Sequence, residues 1–147
     1  MKVVLQRVSG ASVRVAGDIV GEISKGLVIL FCAERDDTDD DVAYFAGKVA
    51  KMRVFADDEG KTNLSILDVN GAALVISQFT LAADWRKGNR PGFSHAAAPE
   101  KAKALYEKFC DTLADQGVLV ERGIFGANMS VALVNDGPFT IIMDGRD

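Results

Sequence analysis

The chain has very few of the side chains on which enzymes most often build nucleophilic or metal chemistry. Its 147 residues include one histidine, His95, and two cysteines, Cys32 and Cys110. A Ser-His-Asp or Cys-His system would have to use His95, which has no obvious partner nearby in sequence, so a surface histidine is the better interpretation. The cysteines are too far apart for a local zinc site, and their apolar surroundings are typical of reduced core thiols. We therefore expect no metal and no organic cofactor.

Long hydrophobic runs are also missing. The longest, Leu27 to Ala33, fits a buried strand and falls well short of the roughly 20 apolar residues of a membrane span. Charge and amide recur at Lys2, Gln6 and Arg7, too early for the apolar region of a signal peptide. We therefore expect a cytoplasmic protein without a membrane partner. The length, with 48% hydrophobic residues, favours one domain, 1–147.

Positive charge is scarce as well. The 17 Lys and Arg residues are outnumbered by 21 Asp and Glu, and the net charge of -4 argues against an extended nucleic-acid surface. The exception is one loop that combines an aromatic ring with cations: Trp85, Arg86, Lys87 and Arg90. This loop permits a small RNA footprint, such as one end of a tRNA, although a plain solvated loop fits the same residues.

Hydrophobic periodicity predicts an α+β fold. A helical stripe covers 38–53, and a second helix is expected to start near Pro99 and end at Gly117. The predicted strands cover residues 3–8, 12–15, 19–23, 27–33, 72–80, 118–121, 129–134 and 139–143, with a hairpin at 57–60. This order of strands and helices predicts antiparallel pairing and no βαβ sheet.

One strand ends in a polar segment where a core would favour more Val and Ile. The segment is Ser77-Gln78-Phe79-Thr80-Leu81, directly after the apolar run 72–76. Free N–H groups near Phe79 would hold a carbonyl oxygen, and Ser77, Gln78 and Thr80 would add hydroxyl and amide partners, which describes a substrate cradle. A strand end whose polar side chains satisfy loose backbone groups fits the same residues.

A second polar break follows the apolar run 129–134. It reads Asn135-Asp136-Gly137-Pro138-Phe139-Thr140, and an Asp-Gly-Pro turn between two strands is its plain interpretation.

Both breaks resemble the signature motifs of the D-aminoacyl-tRNA deacylases, and the similarity covers nearly the whole chain. Three further segments resemble that family: Gln6-Arg7-Val8 with Ala11-Ser12-Val13, the stretch 55–64, and Arg90-Pro91-Gly92-Phe93-Ser94. The resemblance implies antiparallel sheets forming a barrel-like core with two main helices. It also implies a homodimer that hydrolyses the ester joining a D-amino acid, or glycine, to the 3′ acceptor end of tRNA, and that rejects L-amino acids.

The resemblance also implies roles for individual residues. Ser77, Gln78, Phe79 and Thr80 are expected to be catalytic, and the basic loop is expected to bind tRNA. Gly137 and Pro138 are expected to form a cis peptide whose two carbonyls reach into the partner subunit's site, bind the α-ammonium group and exclude an L side chain. Four more residues are expected to support or bind the substrate: Arg7, which would hold the Gly-Pro loop, Asn135, and the pocket walls Phe125 and Met129, for which core packing is an equal alternative.

The sequence leaves an alternative mechanism and two alternative functions open. Thr80 could act as nucleophile or position water, but no base is visible beside it, so we favour a mechanism that uses the tRNA's terminal 2′-hydroxyl and strand-end N–H groups. The alternative functions are a noncatalytic dimer that binds RNA 3′ ends or an amino acid, and a related deacylase that edits a misplaced L-amino acid. Ser77 and Phe79 favour the D-specific branch.

Overall fold

The computed structural model describes residues 1–146, which form eight strands and two α-helices. The strands are β1 (Lys2–Val15), β2 (Asp18–Ile23), β3 (Gly26–Cys32), β4 (Phe55–Ala56), β5 (Thr62–Leu64), β6 (Ala72–Ser77), β7 (Leu119–Arg122) and β8 (Ser130–Asp144). The helices are α1 (Asp39–Lys51) and α2 (Pro99–Asp115), and a short 3₁₀ turn covers Phe79–Ala82. Among these residues no helix is long and apolar enough to cross a membrane.

The main sheet is mixed. Its strand order is β2-β1-β3-β6-β7, and β8 pairs with β1 as well. The sheet curls far enough that a Cβ on Gly21 of β2 would lie 2.9 Å from the Arg122 carbonyl oxygen of β7 and 3.1 Å from Leu74 of β6. The α+β class with two helices and a nearly closed, barrel-like sheet is therefore confirmed.

The prediction of antiparallel pairing without βαβ units was wrong for two neighbouring pairs. β3 and β6 are parallel, with α1 in the connection between them, and β6 and β7 are parallel, with α2 in theirs. Each helix gives the chain the long crossover that parallel neighbours require. Strands β1, β2, β3 and β8 do pair antiparallel.

Both helices lie where the sequence predicts them. Thr38 caps α1 in a capping box with Asp41, which offsets the unpaired N–H groups of the first turn. Pro99 occupies the first turn of α2, and Gly117, with a φ of 97°, follows its end.

Two predicted strand breaks are absent. β1 continues through Gly10, and β8 runs from Ser130 to Asp144 straight through Gly137-Pro138, so the Asp-Gly-Pro segment is not a hairpin turn. Instead both halves of β8 pair with β1, and the register shifts between Gln6 and Gly10. The segment is a bulge in a long strand, which disrupts the ladder locally without reversing the chain.

β6 lies at the centre of the packing. Ala73 and Val75 face the cluster beneath the helices, whereas Leu74 and Ile76 face a second cluster with Val13 and Val28. Successive side chains of this strand therefore point to opposite faces, as the pleat of a strand requires. Because β6 is buried on both faces, its carboxyl end is held in a fixed position.

Candidate active site

A cleft of about 620 Å³ opens at the carboxyl ends of β3 and β6. Because these strands are parallel and Phe31 pairs with Ser77, their ends meet at one edge of the sheet. This edge is the usual place for ligands in parallel sheets. The lining comes from the two strand ends, the turn after β6, the loop before α2 and the segment 125–131. The cleft contains Ser77, Gln78 and Phe79, three of the four residues predicted to be catalytic.

The turn after β6 leaves two backbone donors unused. The Gln78 N–H donates to the Phe31 carbonyl oxygen at 2.8 Å, and the Leu81 N–H donates to the Gln78 carbonyl oxygen at 3.2 Å. Within residues 1–146, the N–H groups of Phe79 and Thr80 have no acceptor, as expected for the first residues of a helical turn. Two adjacent free donors at the edge of a cleft are suited to stabilising an oxyanion.

Thr80 lies on the far side of this turn, and its hydroxyl oxygen accepts a hydrogen bond from the side-chain amide of Gln78. His95 is exposed and lines a neighbouring groove together with Thr80, but no hydrogen bond joins the two side chains. Thr80 therefore has no general base in hydrogen-bonding contact within the described residues.

Cys32 is the one thiol in the cleft, and its environment disfavours the thiolate. Both Cys32 and Cys110 are free and buried, as the sequence predicts. Burial, reinforced by the negative charge of Glu34, raises the pKa of the Cys32 thiol to about 11. Its sulfur lies 3.5 Å from the Phe79 carbonyl oxygen. At neutral pH this group is a small apolar wall residue and not a nucleophile.

Apolar side chains form most of the cleft wall. Phe125 and Met129 both line it, and Phe93 packs edge-on against Phe79 with ring centroids 5.1 Å apart. Phe79 remains 54% exposed despite this contact. Several wall residues were not predicted from the sequence, namely Phe31, Cys32, Ala96, Ala97, Ala102 and Asn128. Except for Asn128, they are small or apolar residues that are indistinguishable from core residues in the sequence.

The bulge at Gly137-Pro138 is held by side chains on both sides. Arg7 Nε donates to the Asp136 carbonyl oxygen at 2.9 Å, and its guanidinium lies 4.6 Å from the centroid of the Phe139 ring. Asn135 bridges the bulge: its amide donates to the carbonyl oxygens of Arg7 and Phe139 and accepts from the Phe139 N–H. These bonds occupy both ends of the Asn135 amide, which places it as a brace of the bulge.

The Gly137-Pro138 peptide itself is cis and exposed. Neither residue has a ladder partner in β1, and no described side chain donates to their carbonyl oxygens. The bulge therefore presents two unpaired acceptors to the surface.

The bulge and the cleft lie apart in one chain. Arg7 pairs with Leu27 at the start of β3, whereas Ser77 pairs with Phe31 four residues further along the same strand. At a rise of about 3.3 Å per residue this separation is roughly 13 Å along the strand direction. None of the residues from 135 to 139 lines the cleft.

The predicted basic loop is exposed. Asp84 and Gly92 exchange two backbone hydrogen bonds of 2.7 and 2.9 Å, which close the base of the loop. Trp85 at its start is 71% exposed, and the guanidinium of Arg86 lies 5.3 Å from the centroid of its ring. The side chains of Lys87 and Arg90 have no partner within residues 1–146. The described part of the chain contains no group of three His, Cys, Asp or Glu side chains placed to hold a metal ion.

Solved structures share this fold. One titled c-Myc DNA Unwinding Element Binding Protein superposes with a TM-score of 0.94 at 37% sequence identity, covering 99% of both chains. Another, titled as a probable eukaryotic D-amino acid tRNA deacylase, superposes with a TM-score of 0.81 at 20% identity over 97% of both chains, a likeness of fold alone.

Comparison of sequences identifies the family within this fold. A model of the D-Tyr-tRNA(Tyr) deacylase family matches residues 4–144. Curated proteins named D-aminoacyl-tRNA deacylase are 59% identical in Dinoroseobacter shibae, covering 99% of this chain and all of that protein, and 54% identical in Paracoccus denitrificans, covering 100% and 99%. The chain belongs to the D-Tyr-tRNA(Tyr) deacylase family, as its two motifs predict.

The environment of Cys32 predicts an unusual pH dependence of alkylation. In the folded protein, Cys32 is expected to react with iodoacetamide along a curve with its midpoint near pH 11, because at pH 8 only about 10⁻³ of the thiol is ionised. Peptide mapping by mass spectrometry separates it from Cys110, and the unfolded chain is the control, with a midpoint near the ordinary value of about 8.5. A folded-state midpoint between pH 8 and 9 would restore Cys32 as a candidate nucleophile.

Proposed function

We propose that the protein is a D-aminoacyl-tRNA deacylase, which hydrolyses the ester between a D-amino acid, or glycine, and the 3′ end of tRNA and spares L-aminoacyl esters. The observation that carries this proposal is the pair of free N–H groups of Phe79 and Thr80 beside the cleft. Family membership supplies the substrate class. One catalytic domain, 1–147, acting in the cytoplasm, where its tRNA substrate is charged, is part of the same proposal.

The proposed reaction uses mostly backbone and substrate groups. The ester carbonyl oxygen accepts hydrogen bonds from the two strand-end N–H groups, which stabilise the negative charge that develops when water attacks. The terminal ribose 2′-hydroxyl is next to the ester and positions that water. Attack of water on the carbonyl carbon forms a tetrahedral intermediate. Its collapse breaks the bond from that carbon to the ribose oxygen, which takes the proton given up by the water, and the free amino acid and tRNA are released. No metal or organic cofactor is required for these steps.

Thr80 has a supporting role in this mechanism. Its oxygen already accepts from Gln78, and no base contacts it, so the hydroxyl is a poor nucleophile and a reasonable donor. Ser77 ends β6 at the cleft wall, where its hydroxyl has no partner among the described residues and is available to the substrate.

Chiral selection is proposed to come from the bulge of a second copy. The unpaired carbonyl oxygens of Gly137 and Pro138 would accept the α-ammonium group, and their closeness to the α-carbon would leave no room for an L side chain. Because bulge and cleft lie apart in one chain, a two-fold dimer in which each bulge reaches the partner's cleft would complete both sites. Arg7 and Asn135 would hold the bulge in place.

The basic loop is proposed to contact the acceptor end of tRNA. Trp85, Arg86, Lys87 and Arg90 are exposed in the loop that follows the 3₁₀ turn, and they combine positive charge with an aromatic ring in an otherwise acidic chain.

The function is tested by comparing D-tyrosyl-tRNA with L-tyrosyl-tRNA. The purified protein is expected to release tyrosine from the D-ester at least about 100-fold faster, because exclusion of the L side chain removes the productive pose. Radiolabelled amino acid retained on precipitated tRNA measures the rate, with a protein-free sample as control. Equal rates, or no release from either ester, would contradict the proposal. Binding of both esters without hydrolysis would favour the noncatalytic alternative, and faster release of the L-ester would favour the L-editing deacylase.

The role of Thr80 is tested against that of the tRNA hydroxyl. Thr80→Ala is expected to keep activity within about tenfold, whereas a tRNA with a 2′-deoxy terminal ribose should be hydrolysed about 10²–10⁴ times more slowly. Single-turnover rates at saturating enzyme separate this loss from weaker binding. A Thr80→Ala protein that binds normally but does not hydrolyse the ester would point to side-chain nucleophilic catalysis.

The composite site is tested by mixing two inactive variants. Phe79→Pro removes one N–H at a position in a helical turn that tolerates proline, and Gly137→Val places a Cβ 2.6 Å from the Phe139 nitrogen and distorts the bulge. Each homodimer should lose most D-tyrosyl-tRNA hydrolysis. A heterodimer purified through two different tags should regain one working site, formed by the intact strand end and the intact bulge.

Phe79→Ala is the matched control for this experiment, because it removes the ring and keeps the N–H. It should be markedly more active than Phe79→Pro. Purified heterodimers that remain inactive would mean that each bulge serves its own subunit.

A further inference from the structure

A second groove, of about 310 Å³, lies on the other side of the 3₁₀ turn from the cleft. At the turn, residues 76–79 line the cleft, and the residues that follow, from Thr80 to Arg86, line the groove. Lys2, His95 and Arg146 complete its wall. Its volume lies at the lower end of the range of ligand pockets, so it has room for a small group. The turn thus separates two adjoining recesses that share one backbone segment.

Three cations line the groove or its rim, and each faces a carboxylate. Lys2 lies 3.5 Å from Asp144, and Arg86 lies 3.6 Å from Asp84. Arg146 pairs with Asp144 at 3.1 Å. The Lys2 and Arg86 contacts are longer than charge-assisted hydrogen bonds, so these two cations can also attract an incoming anion. The anion best matched to several cations in a shallow, exposed groove is a phosphate diester.

An aromatic platform borders the same groove. Trp85 is the only tryptophan of the chain, and 71% of it is exposed although its ring is large and apolar. An indole ring next to cations is the arrangement that proteins use to bind single-stranded nucleic acid, with a base stacked on the ring and the backbone held by the charges. The groove therefore offers both contacts that one nucleotide requires.

We propose that this groove binds the penultimate nucleotide of the tRNA, with its base stacked on Trp85 and its phosphate held by Lys2 and Arg86. The proposal rests on the proposed function, which places the terminal ester at the cleft. A four-residue 3₁₀ turn spans about 8 Å at roughly 2 Å per residue. The cleft and the groove adjoin at Phe79 and Thr80 across this short turn. An RNA strand that leaves the cleft over the turn would therefore bring the nucleotide next to the terminal one over the groove.

The lone tryptophan makes binding directly measurable. Titration with the trinucleotide CCA is expected to quench the Trp85 emission in a saturable manner, whereas adenosine alone, which does not extend over the groove, should quench it far less. Lys2→Ala combined with Arg86→Ala should weaken CCA binding and reduce the salt slope by roughly 0.7 for one lost phosphate contact. Emission that does not change with CCA at any concentration would overturn the proposal.

Kinetics give a second and independent test. The D-tyrosyl ester of CCA is expected to be hydrolysed with a higher kcat/KM than the D-tyrosyl ester of adenosine. Trp85→Ala should reduce this advantage about tenfold or more, and Trp85→Phe, which keeps an aromatic face, should largely retain it. Tyr44→Ala is the control, because Tyr44 is another exposed aromatic residue, at 62%, on α1 and outside both recesses.

The two proposals fail in different ways. An unchanged ratio of the two esters in Trp85→Ala, with hydrolysis of both intact, would overturn the nucleotide groove and leave the deacylase function standing. Quenching by CCA in a protein that hydrolyses neither ester would contradict the deacylase function and support the groove.

Discussion

The parallel pairing of β3 with β6 is the constraint on which the rest of the site depends. It brings the two carboxyl ends to one edge, where the Gln78 N–H bonds to the Phe31 carbonyl oxygen and ends the ladder. The chain then turns at once into a 3₁₀ turn, so the next two N–H groups have no acceptor. Both faces of β6 are packed, and the free donors are therefore fixed in place before any substrate arrives.

The second element of the proposed site is also made of backbone groups. The bulge in β8 withdraws Gly137 and Pro138 from the ladder, and Arg7 and Asn135 satisfy the neighbouring polar groups so that two carbonyl oxygens are left over. The polar groups of the proposed site are thus the N–H donors of Phe79 and Thr80 at one end of the sheet and the carbonyl oxygens of Gly137 and Pro138 at the other. This division explains how a chain with a single histidine can belong to a hydrolytic family. Because the proposed filter only excludes an L side chain, the identity of a D side chain should have little effect on hydrolysis.

Features that depend on local pattern were predictable from the sequence. The helical stripe of α1, the start of α2 at Pro99 and the strand at the apolar run 72–76 follow from local spacing and composition, and the structure has all three. The polar segment after β6 could be identified because Ser and Gln are unusual at the end of a buried strand.

Features that depend on distant partners were not predictable in the same way. Nothing local in β3 or β6 specifies parallel pairing, which depends on α1 acting as a crossover. The Asp-Gly-Pro segment has the composition of a turn, and only its long partner strand β1 makes it a bulge. The walls of the cleft, such as Ala97 and Ala102, are small apolar residues whose role depends on which face of the fold leaves a recess beside them.

The most direct measurement of selection by exclusion uses substrates that differ by a single methyl group. Rates of ester hydrolysis should be compared for glycyl-, D-alanyl- and L-alanyl-tRNA under identical conditions. A filter that excludes an L side chain predicts that the glycyl and D-alanyl esters are both hydrolysed and that the L-alanyl ester is spared. Comparable hydrolysis of the L-alanyl ester, or a glycyl ester that is spared together with it, would contradict selection by exclusion.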